Sequence, residues 1–302
     1  MKYLVIGAGG TGGSIAAFLA LAGLDVTVIA RGRHLENIKE NGLVMHSPIK
    51  GDFSVKVKAC TAEACDCMPD VIFVCVKGYS LDEAGEIIER LANGKTVIIP
   101  ILNIYGTGSE LKKRMPQLHI LEGCIYISAY ISAPGEITQV SQLFRIIYGE
   151  TDGVNGQLLY EIADELNSCG IKTVVSDDIK RSCLMKYAFI SAFAATGAYY
   201  NACAGDIAKN EEMRKTFVSL SNEIGLLANV MGIQFETDIV EKNLEILDAS
   251  DGSMTSSMHK DILKGGNSEV DGLVFVPVRL GKEFNIPTPQ YKKIADFFQF
   301  KQ

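Results

Sequence analysis

The stretch "KYLVIGAGGTGGSIAAFLALAG", residues 2–23, restricts the fold more than any other part of the chain. A short β-branched and aromatic run goes straight into Gly7-Ala8-Gly9-Gly10-Thr11-Gly12, and a helix-periodic apolar segment follows without a break. A plain glycine-rich turn would also match G-x-G-x-x-G. Bracketed by strand and helix inside a β-α-β unit, the match points to a dinucleotide instead. Gly7 permits the tight turn, Gly9 lets backbone approach a pyrophosphate, and Gly12 lets the helix pack closely on the strand. The first N–H groups of that helix then face the phosphates.

Three further positions continue this reading. After the second apolar run, "DVTVIA", an NAD site usually carries Asp or Glu for the ribose hydroxyls, whereas this chain has Arg31. A guanidinium fork suits a 2′-phosphate, which favours NADP(H) over NAD. A flavin is a second reading of the loop, and Arg31 and Arg33 also fit a solvated turn. Lys77 after "VIFVCV" and Asn103 after "TVIIPIL" fall at the carboxyl ends of strands, the edge where doubly wound sheets bind ligands. Lys77 there could touch cofactor and Asn103 could orient a nicotinamide or substrate, while an exposed loop lysine and a turn residue are the plainer readings.

Strand-like runs alternate with helical patterns, at 11–22, 80–92 and 107–115, through residue 176, which implies a mainly parallel sheet. "GLVMHS" and "FSVKVKACT" read as an inserted hairpin, "GCIYISAYIS", "GEITQVS" and "LFRIIYG" as later strands, and "GQLLYEIADELNSCGIKTVVS" as a closing helix and strand. From Asp177 helical patterns dominate: 178–203, 206–231, 236–248, 255–264, 268–284 and 289–299. Asn267 or Ser268 is expected to cap the helix whose first turn holds Glu269, and Pro277 to kink it. The expected architecture is an α/β Rossmann-like domain over 1–176 and an all-α domain over 177–302.

With 302 residues, 47% of them hydrophobic, the chain has ample material for a core. A net charge of −7 without a basic run excludes an electrostatic footprint for nucleic acid or an anionic membrane. Eight scattered cysteines and four histidines show no metal-ligand spacing, so no metal is expected. The N-terminus reaches glycines too early for the apolar core of a secretory signal, and a reducing cytoplasm is the expected setting.

One lysine then demands an account. Lys186, in "LMKYAFISAFAATGAYYNACAG", is followed by nineteen uncharged residues. A membrane span needs about 20 predominantly apolar residues, but this segment is made largely of Ala, Gly, Ser, Thr, Tyr and Asn and reads better as a helix buried on all sides. Lys186 is then either a snorkelling lysine or one held for chemistry.

Several separated motifs, in order, resemble the ketopantoate reductase (2-dehydropantoate 2-reductase) family over nearly the whole chain. They are "VIGAGGTGGSIAAFLALAGLDVTVIARG", "VKGYSLDEA", the Asn after "IIPIL", "PGEI", "LMKY", "SSMHKDILKGGNSEVD" and "GKEFNIPTP". The resemblance implies reduction of a 2-oxo acid by NADPH in a cleft between a Rossmann domain and a helical one, a step of pantothenate biosynthesis in the authentic enzymes. It implies that Lys186 protonates the carbonyl oxygen, that Ser257 and Asn103 bind substrate, and that Glu269 and the Ala129 backbone meet the cofactor. A homodimer is compatible with it, and the sequence does not itself set the oligomeric state. Ser257 and Glu269 also fit ordinary helix-start roles.

The family pattern breaks around the substrate. Its asparagines four and eight residues after the lysine are Ile190 and Ala194 here, and a third is Ala204. Its Asn-Gly pairs read Asn103-Ile104 and Val274-Phe275. A more apolar pocket is the expectation. A dinucleotide-binding module without turnover and a related hydroxy-acid or sugar-phosphate dehydrogenase are the alternatives.

Overall fold

The computed structural model describes residues 1–154 and 156–299. Two units separate: Met1–Leu102 with Gly106–Ile179, and Asn103–Tyr105 with the chain from Lys180 onward.

The first unit opens with β1 (Lys2–Ile6), α1 (Gly10–Leu21), β2 (Asp25–Ile29), α2 (Gly32–Asn41), the hairpin strands β3 (Leu43–Ser47) and β4 (Gly51–Val55), and β5 (Lys58–Cys60). It continues through β6 (Val71–Val74), α3 (Leu81–Leu91), β7 (Val97–Pro100), α4 (Thr107–Arg114), β8 (His119–Ile120), β9 (Glu122–Tyr126), β10 (Ala129–Ala133), β11 (Glu136–Gln139), β12 (Arg145–Gly149), α5 (Gln157–Ser168) and β13 (Lys172–Val175). Six parallel strands form the main sheet in the order β5-β2-β1-β6-β7-β8. β1, β6 and β7 are continuous Val/Ile/Leu-rich runs because both faces are covered.

The expected strand "FSVKVKACT" divides. Its first half pairs with β3, while Lys58–Cys60 crosses to the edge of the main sheet beside β2. "GCIYISAYIS" divides too, giving β9 to a β13-β12-β9 sheet and β10 to a β10-β11-β3-β4 sheet. Helix α1 packs against β1 and β2 and also against β3, β10 and β11. That double burial explains its composition: Ile15, Ala16, Ala17, Phe18 and Leu19 are all fully buried, so the helix needs no polar face.

The second unit is helical: α6 (Ile179–Tyr200), α7 (Ala204–Lys209), α8 (Glu211–Val230), α9 (Ile239–Ala249), α10 (Ser257–Leu263), α11 (Val276–Glu283) and α12 (Pro289–Gln299). The helix expected over 206–231 is two helices. Asn210 leaves helical geometry, and its side chain accepts the Met213 N–H, which caps α8 ahead of Glu211 and Glu212. Among the described residues no helix is long and apolar enough to cross a membrane. α6 instead runs through the core of this unit, with Ala188, Ala192, Ala194 and Ala195 fully buried.

The expected kink at Pro277 takes a specific form. Asp271–Phe275 is a single π-helical turn in which the Val276 N–H reaches back five residues to the Asp271 carbonyl. Proline has no N–H, so residue 277 leaves a carbonyl unserved: that of Gly272 in the π register, or of Leu273 in the α register. A buried unsatisfied carbonyl costs about 1–3 kcal/mol. Both are satisfied from α6, Gly272 by the Tyr187 hydroxyl at 2.7 Å and Leu273 by the Ser191 hydroxyl at 2.6 Å.

Candidate functional site

The glycine loop sits where the strand order of the main sheet reverses, between β1 and β6, at their carboxyl ends. Each glycine there has a separate physical reason. Gly7 has φ +101°, a conformation open to glycine, and a Cβ on it would lie 2.9 Å from the Cys75 carbonyl oxygen. A Cβ on Gly12 would lie 2.0 Å from the Gly7 carbonyl oxygen, the close approach of helix and strand. Gly9 differs: its φ of −68° suits any residue, and a Cβ would meet nothing within 4 Å. Open space at Gly9 and an α1 N-terminus without a side-chain cap leave the first-turn N–H groups facing outward, which fits an anionic pyrophosphate. Thr11 is the second residue of the helix, beside them.

A Cβ on Gly10 would sit 2.2 Å from the Ala129 carbonyl oxygen, so β10 rests directly on the start of α1. Ala129 is thus beside the loop through its backbone. Arg31 ends the segment after β2 as the residue before α2. Its guanidinium is 3.7 Å from Glu83, both side chains being exposed, and such a pair yields readily to a stronger partner. Lys77 follows β6 and precedes a single 3-10 turn, Gly78–Ser80, half-buried.

Sequence reasoning passed over His34 altogether. The Gly135 N–H donates to its Nδ1 at 2.9 Å, which fixes the proton on Nε2, and Nε2–H donates to the Ala8 carbonyl at 2.9 Å. Because the peptide is trans, holding the Ala8 oxygen turns the Gly9 N–H the opposite way. A lone histidine in "ARGRHLE" carries no pattern that would have revealed this.

Burial pulls the His34 pKa below its ordinary value. The native state therefore favours neutral His34, the unfolded chain takes up a proton first, and its contribution to stability is present above about pH 6.5 and lost as pH falls. Protonation would also set two donors against each other at Gly135. The thermal midpoint should accordingly fall between pH 7.5 and 5.5, and fall less in His34→Gln; equal slopes in the two proteins would remove His34 from the effect.

In the helical unit, Lys186 is 8% exposed, and its Nζ donates to the Asn103 amide oxygen at 2.7 Å. A snorkelling lysine would carry its ammonium to water; this one ends on a side chain 83 residues away in sequence. Asn103 reaches it because Asn103–Tyr105 packs with the helices. Ile104, bulk where the family pattern has glycine, is accommodated by a glycine elsewhere: a Cβ on Gly272 would fall 2.3 Å from Ile104 Cδ1. The Tyr105 ring lies 6.1 Å from that of Tyr187.

Glu269 is buried, and its carbonyl takes the Leu273 N–H at 2.9 Å, so it stands just ahead of the helical run rather than in its first turn. Ser257 is the exposed first residue of α10, whose capping hydroxyl belongs to Ser256. Ile190 is half-buried, whereas Ala194 and Ala204 are fully buried. Among the described residues no group of three or more His, Cys, Asp or Glu side chains could hold a metal ion.

A glycine loop at the sheet's switch point, in one chain with a helical unit that buries a lysine on an amide, fits a dinucleotide-linked oxidoreductase. The family model for ketopantoate reductase PanE/ApbA matches residues 3–153, and that for its C-terminal part matches residues 178–302. The chain belongs to the ketopantoate reductase family. It is 29% identical to the uncharacterized oxidoreductase YkpB of Bacillus subtilis, over 96% of this chain and 95% of that one. It is 27% identical to the 2-dehydropantoate 2-reductase of Mesorhizobium japonicum, over 96% and 94%. The crystal structure of 2-dehydropantoate 2-reductase from Geobacter metallireducens superposes with a TM-score of 0.91 at 26% identity, covering 100% of both chains.

Proposed function

We propose that the protein reduces a 2-oxo acid with an apolar tail to the 2-hydroxy acid, using NADPH. The buried Lys186 ammonium, held on the Asn103 amide, carries the proposal. The chemistry that a bound NADPH supplies is a hydride for the carbonyl carbon. The N–H groups at Gly9 and the first turn of α1 hold the pyrophosphate, with Gly7, Ala8, Gly10, Thr11 and Gly12 shaping the loop. The Arg31 fork takes the 2′-phosphate, and Lys77, the Ala129 backbone and Glu269 contact the rest of the cofactor.

Lys186 gives its proton to the carbonyl oxygen as negative charge builds there, and before that its charge stabilises the developing alkoxide. Asn103 keeps the ammonium aimed, and with Ser257 it holds the substrate carboxylate. Ile190 turns an apolar surface to the position where the family has an amide. A site without that amide loses its discrimination in favour of a hydroxylated substrate. Among the described residues the cysteines form no disulfide, which suits a reducing cytoplasm.

Oxidation of NADPH and of NADH, followed across branched, linear and hydroxylated 2-oxo acids with ketopantoate included, tests the reading. Branched or linear apolar acids should give a higher kcat/KM than ketopantoate, and NADPH a higher one than NADH. Ketopantoate as the best substrate by a wide margin would show that Ile190 does not set specificity. Equal use of both cofactors would remove the argument from Arg31, and no turnover at all would leave a dinucleotide-binding module.

A further inference from the structure

The lysine sits on a helix that two hydroxyls bond to the turn ahead of a proline on another element. Tyr187 and Ser191 are one helical turn apart on the same face of α6, both buried, and they donate to the consecutive carbonyls of Gly272 and Leu273, one of which Pro277 leaves without its backbone donor. The Ser191 proton is committed to Leu273, so the 2.7 Å contact between Ser191 and Tyr291 must be a donation from the Tyr291 hydroxyl. A chain of hydroxyls therefore runs from α12 through α6 to the π turn. Burial pushes the Tyr187 and Tyr291 phenols well up, so both remain donors at any working pH.

The same turn indexes the lysine's partner. Gly272, whose carbonyl receives Tyr187, also presents its bare Cα to Ile104, the residue next to Asn103. Glu269 leads into the turn and binds it through the Leu273 N–H. Lys186 is one residue from Tyr187, so any rotation or sliding of α6 against the two carbonyls displaces the ammonium relative to Asn103 and Glu269 together.

We propose that Tyr187 and Ser191 are positioning residues for Lys186: their hydroxyls take the place of the backbone hydrogen bond that Pro277 cannot make, and so hold α6 at the one rotation that brings the ammonium onto Asn103. The proposal rests on Lys186 being the proton donor, and one of its tests is independent of turnover.

The first test is a thermal-unfolding cycle of Tyr187→Phe and Pro277→Ala. An alanine restores the N–H at 277, so Tyr187→Phe should lower the midpoint by at most about half as much in the Pro277→Ala background as in the wild type, as coupled sites behave. The second follows the Lys186 side-chain resonance in protein made with isotope-labelled lysine, assigned through Lys186→Arg. Tyr187→Phe and Ser191→Ala should shift the resonance and its titration. Ser221→Ala, which removes a buried hydroxyl bonded to Asn243 at 3.0 Å in the same unit, should leave both in place.

On the most active 2-oxo acid of the panel, Tyr187→Phe should lower kcat about ten- to a hundredfold with KM for NADPH unchanged, as a displaced catalytic group does. Additive losses in the cycle would overturn the proposal, as would a Lys186 resonance that moves no more in Tyr187→Phe than in Ser221→Ala. If Tyr187→Phe alone does not fold, Ser191→Ala and the Tyr187→Phe/Pro277→Ala double variant give the same readings. A moved resonance with unchanged kcat would uphold the positioning and reject Lys186 as the acid.

Discussion

Replacing Lys186 by alanine is expected to lower turnover by about 10²–10⁴, the range for a lost general acid, and to leave NADPH affinity nearly unchanged. The separation follows from where the parts lie. The glycine loop proposed for the pyrophosphate belongs to the first unit and Lys186, the proposed proton donor, to the second, so the substitution changes no residue of the loop's own unit. Lys186→Arg keeps a positive charge but not a group that releases a proton at neutral pH, and it should be impaired as well. Single-turnover NADPH oxidation with the best acid of the panel, beside a fluorescence titration of NADPH, reads the two effects separately. An alanine variant with undiminished turnover would return Lys186 to a structural role.

Two alanine substitutions in the glycine loop should fail in opposite ways. At Gly12 the added methyl would stand 2.0 Å from a backbone oxygen and 2.9 Å from the Cys75 Cβ, so the helix must retreat from the strand. We expect a stability loss of about 1–3 kcal/mol or more, seen as a lowered thermal midpoint without any cofactor present. At Gly9 the backbone angles suit alanine and the space is open, so the midpoint should hold or rise slightly. NADPH affinity should nevertheless fall tenfold or more, about 1.4 kcal/mol, because the methyl occupies the place of the phosphate. If Gly9→Ala binds NADPH as the wild type does, the open face of Gly9 is not where the pyrophosphate lies.

What the chain discloses on reading divides by the range of the physics involved. The loop, its flanking strand and helix, and the helical character after residue 177 rest on local periodicity and turn chemistry, and these stand in "VIGAGGTGG" and in the long apolar spacing of α6. Lys186 was conspicuous because a charge beside nineteen uncharged residues demands an explanation. Long-range choices left no such mark. Nothing in "FSVKVKACT" says that its last residues leave the hairpin for the sheet edge, since either pairing buries the same alternating side chains. His34 lies in a stretch that reads as solvated loop, and its two bonds reach Ala8 and Gly135, 26 and 101 residues away. Ile104 breaks the family's Asn-Gly pair, and only the packing shows Gly272 making room for it. Asn210 had a local mark, an amide before two glutamates, but the unbroken apolar spacing on either side concealed it and one helix over 206–231 was expected.

The placement of Asn103–Tyr105 with the helices makes this chain a poor candidate for modular exchange. A crossover anywhere between residues 106 and 180, the natural choice for grafting one relative's helical part onto another's sheet, would transfer the lysine while leaving its amide partner behind, and would set a foreign residue in the notch that Gly272 keeps for Ile104. Recombination that keeps the Lys186–Asn103 pair must carry a tripeptide from the opposite parent. In this chain residues 103–105 and 272 form one packing unit although the numbering places them far apart.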